Sequence, residues 1–203
     1  MKLFLASQGL PSAYKDKFFS LLPKRNNPPK IAWIADAAEP YQAKGPTPWL
    51  NQSRQQLKSY GLELVPIRLL DFVGKTKKLE ELLKAFDAVW ISGGNTHYVR
   101  YAMAESGLDN VIKKLVDDGL VYAGESAGAM VAAPNIELSE DSDDLKDVPT
   151  VIEEGLGLTD TLVLPHWDVE KYQDELRQIE QHHHAVGRKT VFLTNSEVLI
   201  VEN

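Results

Sequence analysis

The sequence contains no cysteine. That absence removes disulfides, thiolate metal ligands, thiol redox switches and every mechanism with a cysteine nucleophile. A basic excess is also missing: 22 lysines and arginines against 29 aspartates and glutamates leave a formal charge of −7. Duplex nucleic acids and anionic bilayers select basic surfaces, so neither is an expected partner. No run approaches the roughly 18 apolar residues of a membrane span. The opening MKLFLAS has too short an apolar core for a secretory signal and no cleavage pattern after it. The expectation is a cytoplasmic protein. There is no G-x-G-x-x-G, no G-x-x-x-x-G-K-[ST] and no H-E-x-x-H, so neither a phosphate cradle nor a metal site is indicated. No metal and no organic cofactor are expected. No repeat, low-complexity tract or linker divides the 203 residues, which read as a single domain over 1–203. A chain of this length buries roughly 70% of the surface it exposes when unfolded.

What is present is an alternation of short apolar runs with longer amphipathic stretches. Strands are expected at 2–7, 30–37, 62–69, 88–92 and 120–123, with an apolar run at 162–164 and a closing hairpin from 190–194 and 198–201. Helical spacing covers 11–22, 48–60, 79–86, 96–105, 108–118 and 170–181, with a break near Gly107. Such alternation indicates an α/β fold with a mostly parallel sheet and helices on both faces. The stretch 135–157 interrupts the rhythm and is rich in acids, which reads as a solvated loop.

The most informative segment is Gly124-Glu125-Ser126-Ala127-Gly128, a G-x-S-x-G match that follows an expected strand and precedes an expected helix. The chemistry needs that context. A serine on so sharp a turn projects from the carboxyl end of the sheet, above a helix N-terminus with unengaged N–H groups. The Ala127 N–H is the natural donor to an oxyanion. The bland alternative is a glycine-rich turn in which Ser126 caps a helix.

A serine nucleophile needs a base. Of five histidines, His166 follows the apolar run 162–164, and strand ends of a parallel sheet gather on one side. His97 lies one turn into a helix, and His182, His183 and His184 form a run typical of a surface. The base in turn needs an orienting acceptor. The acidic loop offers Glu137, Glu140, Asp141, Asp143 and Asp144, among which the residues alone do not choose. Asn195, at the end of a late strand, is an outside candidate, and Asp168 lies too close in sequence to His166 to be an obvious partner. A second glycine pair, Gly93-Gly94, ends the fourth expected strand and could complete the oxyanion hole.

Taken together, Ser92-Gly93-Gly94-Asn95-Thr96, then Gly124–Ala129 (GESAGA), then Leu164-Pro165-His166-Trp167 resemble the aspartyl dipeptidase family, also called peptidase E, with cyanophycinase more distant. The resemblance covers most of the chain. It implies a three-layer α/β sandwich like the class I glutamine amidotransferases, with serine in place of their cysteine. It also implies hydrolysis of dipeptides with an N-terminal aspartate through an acyl-enzyme on Ser126. On this pattern His166 is the base and Asp141, fifteen residues after Ser126, the acid. Another assignment within the family puts the acid on the late strand, where this sequence has Asn195 instead. Gly93 or Gly94 with Ala127 matches the oxyanion hole. Asn95, Thr96, Glu125 and Arg177 are the substrate-binding candidates, Arg177 as the cation that an aspartate side chain would ask for. The partner implied is a small peptide, and the protein a monomer or homodimer. Two other readings stay open: a serine hydrolase of different specificity, and an inactive relative that binds a peptide or a partner protein.

Overall fold

The computed structural model describes residues 1–137 and 145–202. Its main sheet has six strands in the order β3-β2-β4-β5-β1-β8. They are β1 (Lys2–Ala6), β2 (Lys30–Ile34), β3 (Glu63–Ile67), β4 (Ala88–Ile91), β5 (Val121–Glu125) and β8 (Val198–Glu202). All neighbours run parallel except β8, which pairs antiparallel with β1. Strands buried on both faces carry near-continuous apolar runs, and β1, β2, β4 and β5 do so.

Alternation along those strands sends side chains to two cores. On one face Leu3, Leu5, Ile34, Val89, Ile91 and Tyr122 pack against α4 (Thr76–Leu83), α5 (Thr96–Ser106) and α6 (Leu108–Asp117). On the other, Phe4, Trp33, Trp90 and Ala123 pack against α1 (Lys15–Leu21) and α3 (Pro48–Ser59). There Phe18 meets Phe4 edge-on at 5.0 Å and Trp90 at 5.7 Å; each such pair adds about 0.5–1.5 kcal/mol beyond its buried area. The result is the three-layer α/β sandwich that the resemblance implies. A short α2 (Glu39–Lys44) precedes α3, and the one-turn helix α7 (Ala127–Met130) leads out of β5.

Two expectations need correction. The late strands do not close a hairpin: β7 (Lys189–Phe192) pairs parallel with β6 (Thr161–Leu164) in a separate two-stranded sheet, while β8 returns to the edge of the main sheet. The apolar positions of β6, with Met130 and Ala133, instead cover Leu176 and Ile179 of α8 (Glu170–Ala185) in a third, smaller core. The helix expected at 79–86 also begins and ends about three residues early, at Thr76–Leu83.

One charge in the frame is out of its element. Asp36 follows β2 and is 2% exposed. Its Oδ1 accepts the Leu69 N–H at 2.9 Å, but Oδ2 has no partner among the described residues. Burial, aided by Glu39, pushes its carboxyl up to about 7. A carboxyl raised in the folded state holds a proton that the unfolded chain releases near pH 4. Stability is therefore full below that pH and declines as the pH rises through about 7, over a span worth about 4 kcal/mol. Urea midpoints measured from pH 4 to 8 are expected to fall along this course, and Asp36→Asn to flatten the decline.

Candidate active site

The segment after β5 is set by close packing. A side chain at Gly128 would begin 2.2 Å from the Ile91 carbonyl oxygen of β4, and one at Gly124 would begin 2.1 Å from that of Gly128. Only bare glycines allow this approach. The fully buried Tyr122 hydroxyl donates to Gly128 O at 2.7 Å. Between the glycines, Ser126 has φ 50° and ψ −115°, a conformation costing an ordinary residue about 1–3 kcal/mol. Its N–H donates to Ala6 O of β1 at 3.0 Å. Ala127 is the first residue of α7, so its N–H has no intrahelical acceptor.

Among the described residues, the one other non-glycine residue at positive φ is His166, at 63°. It follows β6, and its N–H donates to Ser7 Oγ at 2.8 Å, just beyond β1. The next residue is tied in as well, Trp167 N–H donating to Leu193 O at 3.0 Å. The turn brings the imidazole to Ser126, with Nε2 3.0 Å from Oγ. On the other side of the ring, Nδ1 lies 2.6 Å from Asn195 Oδ1. An amide oxygen can only accept, so Nδ1 carries the proton and Nε2 presents its lone pair to the serine hydroxyl. Asn195 is itself held, its N–H donating to Asp168 Oδ1 at 2.8 Å.

The remaining candidates divide. Gly93 flanks Ser126: a Cβ there would lie 3.2 Å from Ser126 Cβ and 3.7 Å from its Oγ. Gly94 takes φ 137° against the Ala37 carbonyl. Thr96 lines the same cleft and is buried against Met130 Sδ at 3.8 Å. Asn95 is fully buried as the cap of α5, its Oδ1 accepting the Tyr98 N–H at 2.7 Å. Glu125 is 4% exposed and works as a brace, accepting from Gly9 N–H at 2.6 Å and from Ser53 Oγ at 2.7 Å. Burial pushes its carboxyl up, while those donors act the other way. Arg177 does not line the cleft; its guanidinium lies over the Trp167 ring, 5.3 Å from the centroid.

Asp141 lies outside the described residues, as do Glu140, Asp143 and Asp144. Glu137 is engaged elsewhere, with His182 at 2.7 Å and Arg188 at 2.9 Å, which hold its carboxyl down at about 2. His97 is spent on structure: its Nδ1 meets the Ile152 carbonyl at 3.1 Å, and burial lowers its pKa. Sequence reasoning passed over Ser7 and Lys171, whereas Asp168, set aside there as a partner for His166, binds the Asn195 backbone instead. Ser7 had a signal, since parallel pairing sets Ala6 beside Glu125 and so Ser7 beside Ser126.

These groups open onto a cleft of about 1200 Å³ between the turn after β1, α3 and α8. Among the described residues no cluster of three His, Asp or Glu side chains could hold a metal ion, and no helix is long and apolar enough to cross a membrane.

Comparison with known proteins identifies the family. The sequence profile of peptidase family S51 matches residues 3–203. The chain belongs to peptidase family S51. Relatives include an uncharacterized peptidase of Pasteurella multocida, 33% identical over 91 residues, 44% of each chain. Another is named peptidase E, from a Nostoc species, and is 31% identical over 68% of this chain and 52% of its own. The chain thus spans about half the length of these two relatives. An uncharacterized peptidase of Listeria monocytogenes is 26% identical over 75% of this chain and 74% of its own. In fold, a crystal structure of a provisional peptidase E from the same species superposes with a TM-score of 0.75 at 22% identity, covering 100% of this chain and 98% of that one.

The hydrogen bonds around His166 separate its two neighbours by role. Asn195→Ala is expected to lower kcat about 10²- to 10⁴-fold, since proton transfer by a positioned base contributes on that scale. Asn195→Asp keeps the acceptor oxygen and should stay within about tenfold of wild type. Its acid limb of kcat/KM against pH should move upward, because a carboxylate stabilises an imidazolium as an amide does not. Equal losses in both variants would remove Asn195 from the relay.

Proposed function

We propose that the protein is a serine peptidase that hydrolyses short peptides through an acyl-enzyme on Ser126. The observation that carries the reading is the hydrogen-bonded series Ser126 Oγ, His166 and Asn195, at 3.0 and 2.6 Å, on the wall of the cleft. His166 Nε2 takes the hydroxyl proton as Oγ bonds to the scissile carbonyl carbon. The carbonyl oxygen becomes an oxyanion, which the Ala127 N–H and a Gly93 or Gly94 N–H would hold. Losing one such donor costs about 3–4 kcal/mol of barrier. The intermediate collapses as the C–N bond breaks, and the Nε2 proton passes to the departing amine. Water, deprotonated by the same nitrogen, then cleaves the ester and restores the serine. Asn195 acts through His166 as a positioning residue, fixing the tautomer.

The narrower reading, cleavage of dipeptides headed by aspartate, needs a cation in the cleft. Arg177 is turned to Trp167, and among the described residues Lys171 is the one lysine or arginine that lines the cleft. Its Nζ lies 4.4 Å from the centroid of the Tyr172 ring, where it could reach a substrate carboxylate. Glu125, sealed by Gly9 and Ser53, is a support for the turn more than a partner for an α-amino group.

The test is amine release from Asp-Leu and Asp-Ala, with Glu-, Asn- and Ala-headed controls, by wild type, Ser126→Ala and Lys171→Met. Wild type should cleave and Ser126→Ala should not, and a fluorophosphonate should label wild type alone. If aspartate is the preferred residue, Lys171→Met raises KM for Asp-headed peptides about tenfold relative to Ala-headed ones, the scale of a charge-assisted hydrogen bond. Full turnover by Ser126→Ala would end the acyl-enzyme reading. An unmoved Asp/Ala ratio in Lys171→Met would end the role given to Lys171.

A further inference from the structure

The cleft is larger than a dipeptide requires. Its volume of about 1200 Å³ exceeds the roughly 300–1,000 Å³ of ordinary small-molecule sites. One wall is a single face of α3: Trp49, Gln52, Gln56 and Ser59 recur at steps of three, four and three residues and all line the cleft. The opposite face of the helix carries Leu50 and Leu57 into the core. This wall holds no charge. It offers amides and a hydroxyl, with an aromatic ring at one end.

Two details turn that face from a solvated helix side into a binding surface. The first is Gln56. Leu10 N–H donates to its Oε1 at 3.0 Å, which fixes the amide and leaves the Nε2 N–H pair of this cleft-lining side chain without an acceptor among the described residues. A fixed pair of donors suits a carbonyl oxygen. The second is Trp49, 38% exposed and set edge-on to Tyr41 at 6.3 Å. Among the described residues four large hydrophobic side chains stay exposed, and Trp49 is the one of them that lines the cleft. A rigid, half-exposed aromatic of this kind is a typical anchor for a partner side chain.

We infer that the α3 wall is a subsite for an extended peptide, so that the preferred substrates are oligopeptides of about four or five residues and not dipeptides. The ten residue steps of helix from Trp49 to Ser59 span about 15 Å. An extended chain advances about 3.3 Å per residue, so the wall accommodates four or five residues where a dipeptide covers about half that length. The peptide backbone meets the Gln56 amide, and a side chain near its far end packs on Trp49. Neutrality of the wall selects through backbone groups and apolar contact, leaving charge selection to the Lys171 side of the cleft. This inference rests on the peptidase reading of Ser126.

The experiment is a length series. Starting from the best dipeptide of the panel, peptides of two to five residues are extended separately at the N- and C-terminal ends, and kcat/KM is measured for each. One of the two series is expected to rise about tenfold or more between two and four residues and then level off, as binding energy remote from the scissile bond is engaged. Trp49→Ala and, independently, Gln52→Ala should each reduce kcat/KM for the tetrapeptide several-fold more than for the dipeptide. Both sites are exposed helix positions whose replacement leaves the core intact. Flat or falling values in both series overturn the inference while leaving the peptidase reading in place, and would mean that something other than substrate covers Trp49. So would losses in the variants that are equal at every length. A folded wild type that cleaves no peptide of any length sinks the peptidase reading and this inference with it.

Discussion

The backbone of α7 lies so close to β4 that no side chain can come between them, and the rest of the site depends on that approach. Gly128 rests on the Ile91 carbonyl and Gly124 on that of Gly128, so the chain leaving β5 must turn immediately and Ser126 must take the conformation left to it. The cost of about 1–3 kcal/mol at one residue is a sizeable part of the 5–15 kcal/mol by which a domain is stable. It persists because the surroundings over-determine it. Ser126 N–H is committed to Ala6 O, and Tyr122 clamps Gly128 from the core. The same logic applies forty residues on, where Ser7 and Leu193 hold the turn containing His166. Both bent residues are pinned to strand ends, β1 serving each, so the separation of Oγ and Nε2 is a property of the sheet and not of a loop.

How much of this could be read in the residues follows from what kind of force sets each part. Strands buried on two faces announce themselves as apolar runs, and β1, β2, β4 and β5 were all visible for that reason. The elbow was visible because close packing leaves no alternative to glycine at 124 and 128. The pairing of the last strands was not visible. Residues 190–194 and 198–201 look alike as apolar runs, and nothing local says that one joins β6 while the other crosses to β1. The roles of polar side chains were the least legible. Asn95 and Thr96 share a motif, yet one is turned into a helix cap and the other faces the cleft. Arg177 has the charge that an aspartate site would need, but the Trp167 ring beside it in space takes the guanidinium. Whether such a group serves a ligand or the fold is decided by neighbours distant in sequence.

The relay behind His166 shows the same dependence in its chemistry. An acid stands two residues after the histidine, in Asp168, and an amide stands at 195. The acid does not touch the imidazole; it binds the backbone of Asn195, and the amide oxygen meets the ring. A carboxylate at 195 would put a second negative charge beside Asp168, each disfavouring the other's ionised form. Glu125, next to the nucleophile, already keeps a third acidic group in the same region, braced by Gly9 and Ser53. Further negative charge here would oppose the oxyanion that the proposed reaction creates at Ser126. A neutral acceptor avoids that opposition and still fixes the tautomer. It forgoes the extra stabilisation a carboxylate gives to an imidazolium, so in the proposed reaction a larger share of the barrier lowering would fall to the backbone donors around Ser126. Those donors stand where the glycines hold them, and the close approach of α7 to β4 sets the position of Ser126 and of the N–H groups around it.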